Sequence, residues 1–105
     1  MATASLHFSE GTLDPTTITL PDDITNVKKF MDTISDFVDS AKGQATLKFY
    51  IVNKENPDGR LIDLDVDKDE PINEEGSSVK VVVENVTSDI EAAFIGEFEA
   101  YGQEK

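Results

Sequence analysis

Asp63, Asp65, Asp67, Asp69 and Glu74 stand at positions 1, 3, 5, 7 and 12 of a twelve-residue loop spacing that calcium ions use to gather oxygen ligands. Five carboxylates in so short a run are the side chains of this protein best suited to chemistry, and cation binding is the first chemistry they bring to mind. Two details weigh against a specific site. Position 6 is Lys68, where the sharp turn needs glycine and where an ammonium competes with the ion. The run Leu61-Ile62-Asp63-Leu64-Asp65-Val66 alternates like a strand, and a strand holds alternate side chains ~6.8 Å apart, too far to wrap one ion. Weak calcium binding is therefore the lesser reading, and no cofactor or metal is assigned.

Joined by Glu70 and Glu75, the same acids form a candidate partner-binding surface: Asp63, Asp65, Asp67, Asp69, Glu70, Glu74 and Glu75. The net charge is −13, and it is unevenly placed. Residues 61–105 carry 13 Asp or Glu against Lys68, Lys80 and Lys105, whereas residues 1–60 carry nine acids against six bases. Such a surface repels nucleic acid and anionic membranes and attracts basic proteins. A line of carboxylates along a strand also imitates a phosphate backbone, whose charges nucleic-acid-binding proteins neutralise with Lys and Arg. General adaptation to high salt fits less well, because the charge is concentrated in one half. The bland use of the row is solubility, since charges on an edge strand discourage sheet-to-sheet aggregation.

Enzyme chemistry finds little support. His7 is the only histidine and there is no cysteine, so nucleophile–base pairs are scarce. No glycine-rich phosphate loop exists, and Lys28-Lys29 is too small for a nucleic-acid patch and lacks aromatic neighbours for stacking. Asn85-Val86-Thr87 matches a glycosylation sequon but joins a strand to a helix cap. The absence of cysteine suits a reducing compartment. Met1 to Ser5 has no signal-peptide character, and no run nears the ~18 apolar residues of a membrane span. The expectation is a soluble, cytoplasmic, non-catalytic chain of one domain.

The elements that must carry these residues follow from period and punctuation. Leu6 and Phe8, with Ile18 and Leu20, predict the inner face of a hairpin whose turn spans Gly11 to Pro15. Pro21-Asp22-Asp23 opens a helix, with either Asp as cap, and Ile24, Val27, Phe30, Met31, Ile34, Phe37 and Val38 follow its apolar stripe to a stop at Gly43, with Lys42 in the last turn. Thr46 to Val52 predicts a strand with Leu47, Phe49 and Ile51 on one face. Asn56-Pro57-Asp58-Gly59 turns the chain into a second arm, Leu61 to Val66, where Ile62, Leu64 and Val66 point inward and Asp63, Asp65 and Asp67 outward. Pro71 ends that strand, and residues 67–78 form an acidic loop. Val79 to Val86 is a strand with Val79, Val81 and Val83 inside. Ser88 or Asp89 caps a second helix to about Tyr101, with Ile90, Ala93, Phe94, Phe98 and Tyr101 apolar and Glu97, Glu99 and Glu104 at its unfavourable C-terminal end.

The order is β-β-α-β-β-β-α, an α+β fold with a mixed or antiparallel sheet of about five strands. Thr17-Ile18-Thr19-Leu20-Pro21 before the helix, Ile51-Val52-Asn53 after it, Asp69-Glu70-Pro71-Ile72, and Gly76-Ser77-Ser78-Val79-Lys80-Val81-Val82-Val83 carry a pattern that resembles the β-grasp superfold of ubiquitin-like and TGS domains over residues 4–86. The resemblance implies a hairpin, one long helix and a final central strand. The chain departs from it by ending Tyr101-Gly102-Gln103-Glu104-Lys105, without the terminal Gly-Gly of the carrier proteins, and by adding a second helix. Both departures imply a binding module rather than a carrier.

The second helix has three placements: over Tyr50, Val52 and Val82 on the far face of the sheet, beside the first helix, or with its stripe exposed for a homodimer or another partner. The leading functional expectation is an acidic interaction module that binds or inhibits a basic protein such as a nuclease or nucleic-acid-binding protein, in the manner of immunity proteins and phage inhibitors, with no direct contact to nucleic acid or membrane. The alternative is a β-grasp-like scaffold or assembly domain whose acidity serves solubility.

Overall fold

The computed structural model describes residues 2–10, 14–72 and 76–102. Alternation dictates the first hairpin. In β1 (Thr3–Phe8), Ala4, Leu6 and Phe8 are buried, while Thr3, Ser5 and His7 face the other way. β2 (Thr16–Thr19) pairs with it antiparallel, Thr3 opposite Thr19 and Leu6 opposite Thr16. Ile18 and Leu20 join the core as the pattern requires.

The single long helix expected next is two short ones, α1 (Val27–Thr33) and α2 (Ser35–Ala41). Neither Asp22 nor Asp23 opens α1. Both are exposed in a turn closed by the Ile24 N–H on the Pro21 carbonyl at 3.1 Å. The cap is Asn26, whose Oδ1 accepts the Lys29 N–H at 2.9 Å. At Ile34 the helix breaks. The Thr33 hydroxyl donates back to the Lys29 carbonyl at 2.7 Å, and the Phe37 N–H, which a continuous helix would give to Thr33, goes to the Tyr101 hydroxyl at 3.2 Å. Back-bonding hydroxyls and side chains inserted into the hydrogen-bond ladder are ordinary causes of such breaks. α2 stops as expected at Gly43, where φ is +81°, a conformation glycine adopts without penalty. Lys42 is the C-cap of α2.

β3 (Thr46–Val52), β4 (Arg60–Leu61) and β5 (Ser78–Glu84) complete a five-stranded sheet in the order β2-β1-β5-β3-β4. β5 lies parallel to β1 and antiparallel to β3, so the sheet is mixed and the fold is α+β. Val79, Val81 and Val83 in this central strand are fully buried. The far arm of the β3 hairpin is shorter than its sequence alternation implies. β4 ends at Leu61, and residues 64–66 lie in a turn.

α3 (Ser88–Glu99), with Thr87 rather than Ser88 or Asp89 as its cap, packs beside α2 on the same face of the sheet. The sandwich placement is not adopted. Phe37 is the reason: its ring meets Phe94 and Phe98 edge-on at centroid distances of 5.7 and 5.9 Å, geometries that stabilise beyond the apolar area they bury. Ser40 Oγ also donates to Glu97 at 2.9 Å. Phe94 and Phe98 are buried and Ile90 and Tyr101 half-buried, while Ala93, expected in the stripe, is exposed. The apolar stripe is spent inside the fold and is not an open face for a second copy. Tyr50, Val52 and Val82 do lie on the opposite face, half-buried and with no helix of the described residues over them. No helix among the described residues is long and apolar enough to cross a membrane.

Truncating Phe37 to Ala removes the ring between the helices and is expected to cost about 3–5 kcal/mol in urea unfolding. Val82→Ala on the uncovered face is expected to cost less than about 1 kcal/mol. Equal losses would contradict the one-sided core.

Candidate functional site

The acidic segment begins where Gly59 turns the chain into β4. Its φ is +98°, an angle that favours glycine, and a Cβ there would sit tightly against Tyr50, 3.3 Å from its Cβ. The next residue is Arg60, the only arginine in the chain, followed by Leu61 at the sheet edge opposite Tyr50.

From Ile62 onward the backbone leaves the sheet. Ile62 keeps one bond to β3, its N–H on the Phe49 carbonyl at 2.8 Å, and is buried. The Asp63 carbonyl then accepts the N–H of Val66 at 3.1 Å and of Asp67 at 2.7 Å, while Asp63 Oδ1 accepts the Asp65 N–H at 3.0 Å. Aspartate offers the backbone this local alternative to a ladder, which is why it favours turns and is poor in strands. The turn reverses the orientation that strict alternation implies. Leu64 and Val66, expected inside, are 50% and 75% exposed, and Asp67, expected outside, is 8% exposed.

Asp67 is buried with full compensation. Its Oδ2 accepts the Asp63 N–H at 2.8 Å and lies 3.0 Å from Arg60 Nη1. Arg60 also approaches Glu70, Nη2 to Oε1, at 3.9 Å. The Asp63 N–H, followed by the Arg60 guanidinium, holds the Asp67 carboxyl below the usual carboxylate range, against the opposing effect of burial. A second turn follows, the Glu70 N–H on the Asp67 carbonyl at 2.9 Å, and it delivers two carbonyls to the start of α1. Lys68 accepts the Lys28 N–H at 2.9 Å and Glu70 the Val27 N–H at 3.0 Å. With Asn26 serving Lys29, three N–H groups that a helix start leaves without intrahelical partners are satisfied. Pro71 bridges to Asn26, and the Ile72 side chain is fully buried.

The seven acids singled out from the sequence therefore have different roles. Asp63, Asp65 and Asp69 are exposed on the turn, Glu70 is half-buried near Arg60, and Asp67 is internal. Glu74 and Glu75 lie outside the described residues. Asp67 is a correction to the outward row: its carboxylate is committed to Arg60 and the Asp63 N–H. Among the described residues no group of three or more acidic, histidine or cysteine side chains is arranged to hold a metal ion.

Sequence reasoning missed Arg60 and the exposed apolar residues. A lone arginine seven residues before an aspartate, within an Asp-rich run prone to side-chain turns, was the available signal. Leu61, Leu64 and Val66 are the large hydrophobic side chains most exposed among the described residues, Leu61 at 57%. All three are interleaved with Asp63 and Asp65. One short segment therefore presents both apolar contact area and negative charge to solvent. His7, by contrast, sits on the uncovered sheet face with Nε2 2.9 Å from Ser5 Oγ, and burial, then Lys80, lowers its pKa. Neither feature assembles a nucleophile. No family model, curated protein or solved structure matches this chain.

Because folding favours the ionised form of Asp67, its stabilising contribution is complete above the unfolded carboxyl pKa of about 3.9 and disappears as pH falls through the lower folded value. Denaturation curves taken from about pH 6 down to pH 3 should show Asp67→Asn starting less stable and losing less stability on acidification than the native chain. Parallel curves for the two proteins would remove Asp67 from the account.

Proposed function

We propose that the turn from Leu61 to Glu70 is a docking surface for a basic protein, and that the chain acts as a non-catalytic binder or inhibitor of that partner. The observation that carries this reading is the coincidence of two features in one ordered loop: exposed Asp63, Asp65 and Asp69, and exposed Leu61, Leu64 and Val66. Charge alone would serve solubility. Three large apolar side chains exposed within six residues are candidates for cover by a partner, and interfaces characteristically combine apolar contacts with a polar rim. The charge of −13 adds long-range attraction for a basic protein and fast encounter. A nuclease or another nucleic-acid-binding protein has the required chemistry, because its own site is built to neutralise phosphates. The cytoplasm is the compartment that suits a cysteine-free chain of this kind.

The β-grasp likeness remains part of the proposal. Its support is the hairpin, the helical segment after it and a last strand set centrally beside and parallel to β1. The scaffold alternative draws on a different observation, the uncovered sheet face with Tyr50, Val52 and Val82.

Affinity capture at low salt with mass spectrometry, followed by titration of the captured protein, tests the reading. Affinity is expected to fall at least about tenfold between roughly 50 and 200 mM salt. Asp65→Lys with Asp69→Lys should weaken binding and flatten that salt dependence, whereas Leu64→Ser with Val66→Ser should weaken it and leave the salt dependence intact. Salt-independent affinity, or binding indifferent to all four substitutions, would sink the proposal.

A further inference from the structure

β4 pairs with β3 only at Tyr50 and Ile51, extended by the Ile62 bond to Phe49. From Thr46 to Lys48, β3 has β5 on one side and no strand of the described residues on the other. Successive residues of a strand aim their N–H and C=O groups at opposite edges. The Phe49 carbonyl points to β4, so Leu47, two residues earlier, points both its backbone groups to that same edge. The other side of the sheet agrees: Val83, opposite Leu47, gives its carbonyl to the Ser9 N–H on the β1 side at 3.0 Å. Beside this edge runs a groove of about 200 Å³ between α2 and β3, lined by Val38, Ala41, Lys42, Ala45, Leu47 and Phe49. A donor and an acceptor at a sheet edge, next to an apolar groove, are the requirements for adding an extended strand whose alternate side chains fill the groove.

The charges decide what kind of strand. Lys42, the one cation in the lining, is paired with Asp39 at 3.4 Å, and Lys48, on the opposite face of the same strand, with Glu84 at 3.0 Å. An incoming segment therefore meets the field of a protein of charge −13. A second copy would bring an equal negative charge against it. We propose that the Thr46–Lys48 edge and its groove take an extended segment of the basic partner, alternating apolar and basic residues, added as a sixth strand beside β3. The proposal rests on the basic-partner reading above but uses a different surface from the acidic turn.

The probe is a blocked octapeptide of alternating Val and Lys, compared with the same peptide N-methylated at its four central residues, which carries the same charge but cannot join a sheet. In NMR at low salt the first peptide is expected to slow exchange of the Leu47 amide about tenfold or more and to shift residues 45–49, and the methylated peptide to do neither. Ala45→Phe, which fills the groove without altering charge, should abolish the effect while β5 amides stay protected. Equal binding of the two peptides, or shifts confined to residues 61–70, would overturn the edge proposal and leave the acidic turn standing. Protection of Leu47 that grows with protein concentration in the absence of peptide would assign the edge to a second copy and overturn it as well. Edge binding that survives Asp65→Lys with Asp69→Lys would uphold the groove as a surface separate from the turn.

Discussion

The Asp67 carboxylate ties together three parts of the chain that are otherwise held loosely. It anchors Arg60 at the end of the β3–β4 hairpin, fixes the Asp63 backbone at the start of the acidic turn, and positions the second turn whose carbonyls receive the first N–H groups of α1. A carboxylate taken out of water is costly unless charge and hydrogen bonds replace the water. Here the replacement comes from residues within seven positions in sequence, so the turn is largely self-contained. The same node exposes Leu64 and Val66, because a chain that turns Asp67 inward directly after them cannot keep the alternation that would bury them.

Around that node the fold divides its surfaces unequally. One face of the sheet is covered by α1, α2 and α3 through Phe30, Phe37, Phe94 and Phe98. The other is left to Ser5, His7, Lys48, Tyr50, Lys80 and Val82, with no helix of the described residues over it. The acids are gathered mainly elsewhere, on the turn and along the helices. A protein organised in this way has two kinds of unfinished surface, an acidic turn studded with apolar side chains and a sheet edge along which no strand of the described residues pairs. Both are the surfaces on which the proposed docking rests.

Much of this was legible in the residues. Alternation in Leu6 and Phe8, in Leu47 to Ile51 and in Val79 to Val83 located three strands and their buried faces, because a sheet with one covered face imposes period two directly on the sequence. Gly43 and Gly59 marked turns for the steric reason that governs positive φ. The errors came where a local rule met a stronger neighbour. Asp22 and Asp23 have the chemistry of a cap, but Asn26 lies where the carbonyls of Lys68 and Glu70 complete the helix start, and those come from more than forty residues away. The run from Ile62 to Asp67 has the alternation of a strand, but aspartate side chains and a lone arginine close it into a turn.

Sequence by itself determined which residues want water and which do not, the α+β order and the strongly acidic character, because these depend on side-chain type and short-range period. Only the tertiary structure decided that α3 lies beside α2 rather than across the sheet, since that choice turns on Phe37 meeting Phe94 and Phe98. It decided, too, which of the acids are surface and which is internal. The alternating acids that drew attention as a possible cation loop are now distinguishable: Asp63, Asp65 and Asp69 face solvent, and Asp67 holds the turn. No periodicity could have separated them, because the difference is made by a hydrogen bond and a guanidinium that meet in space.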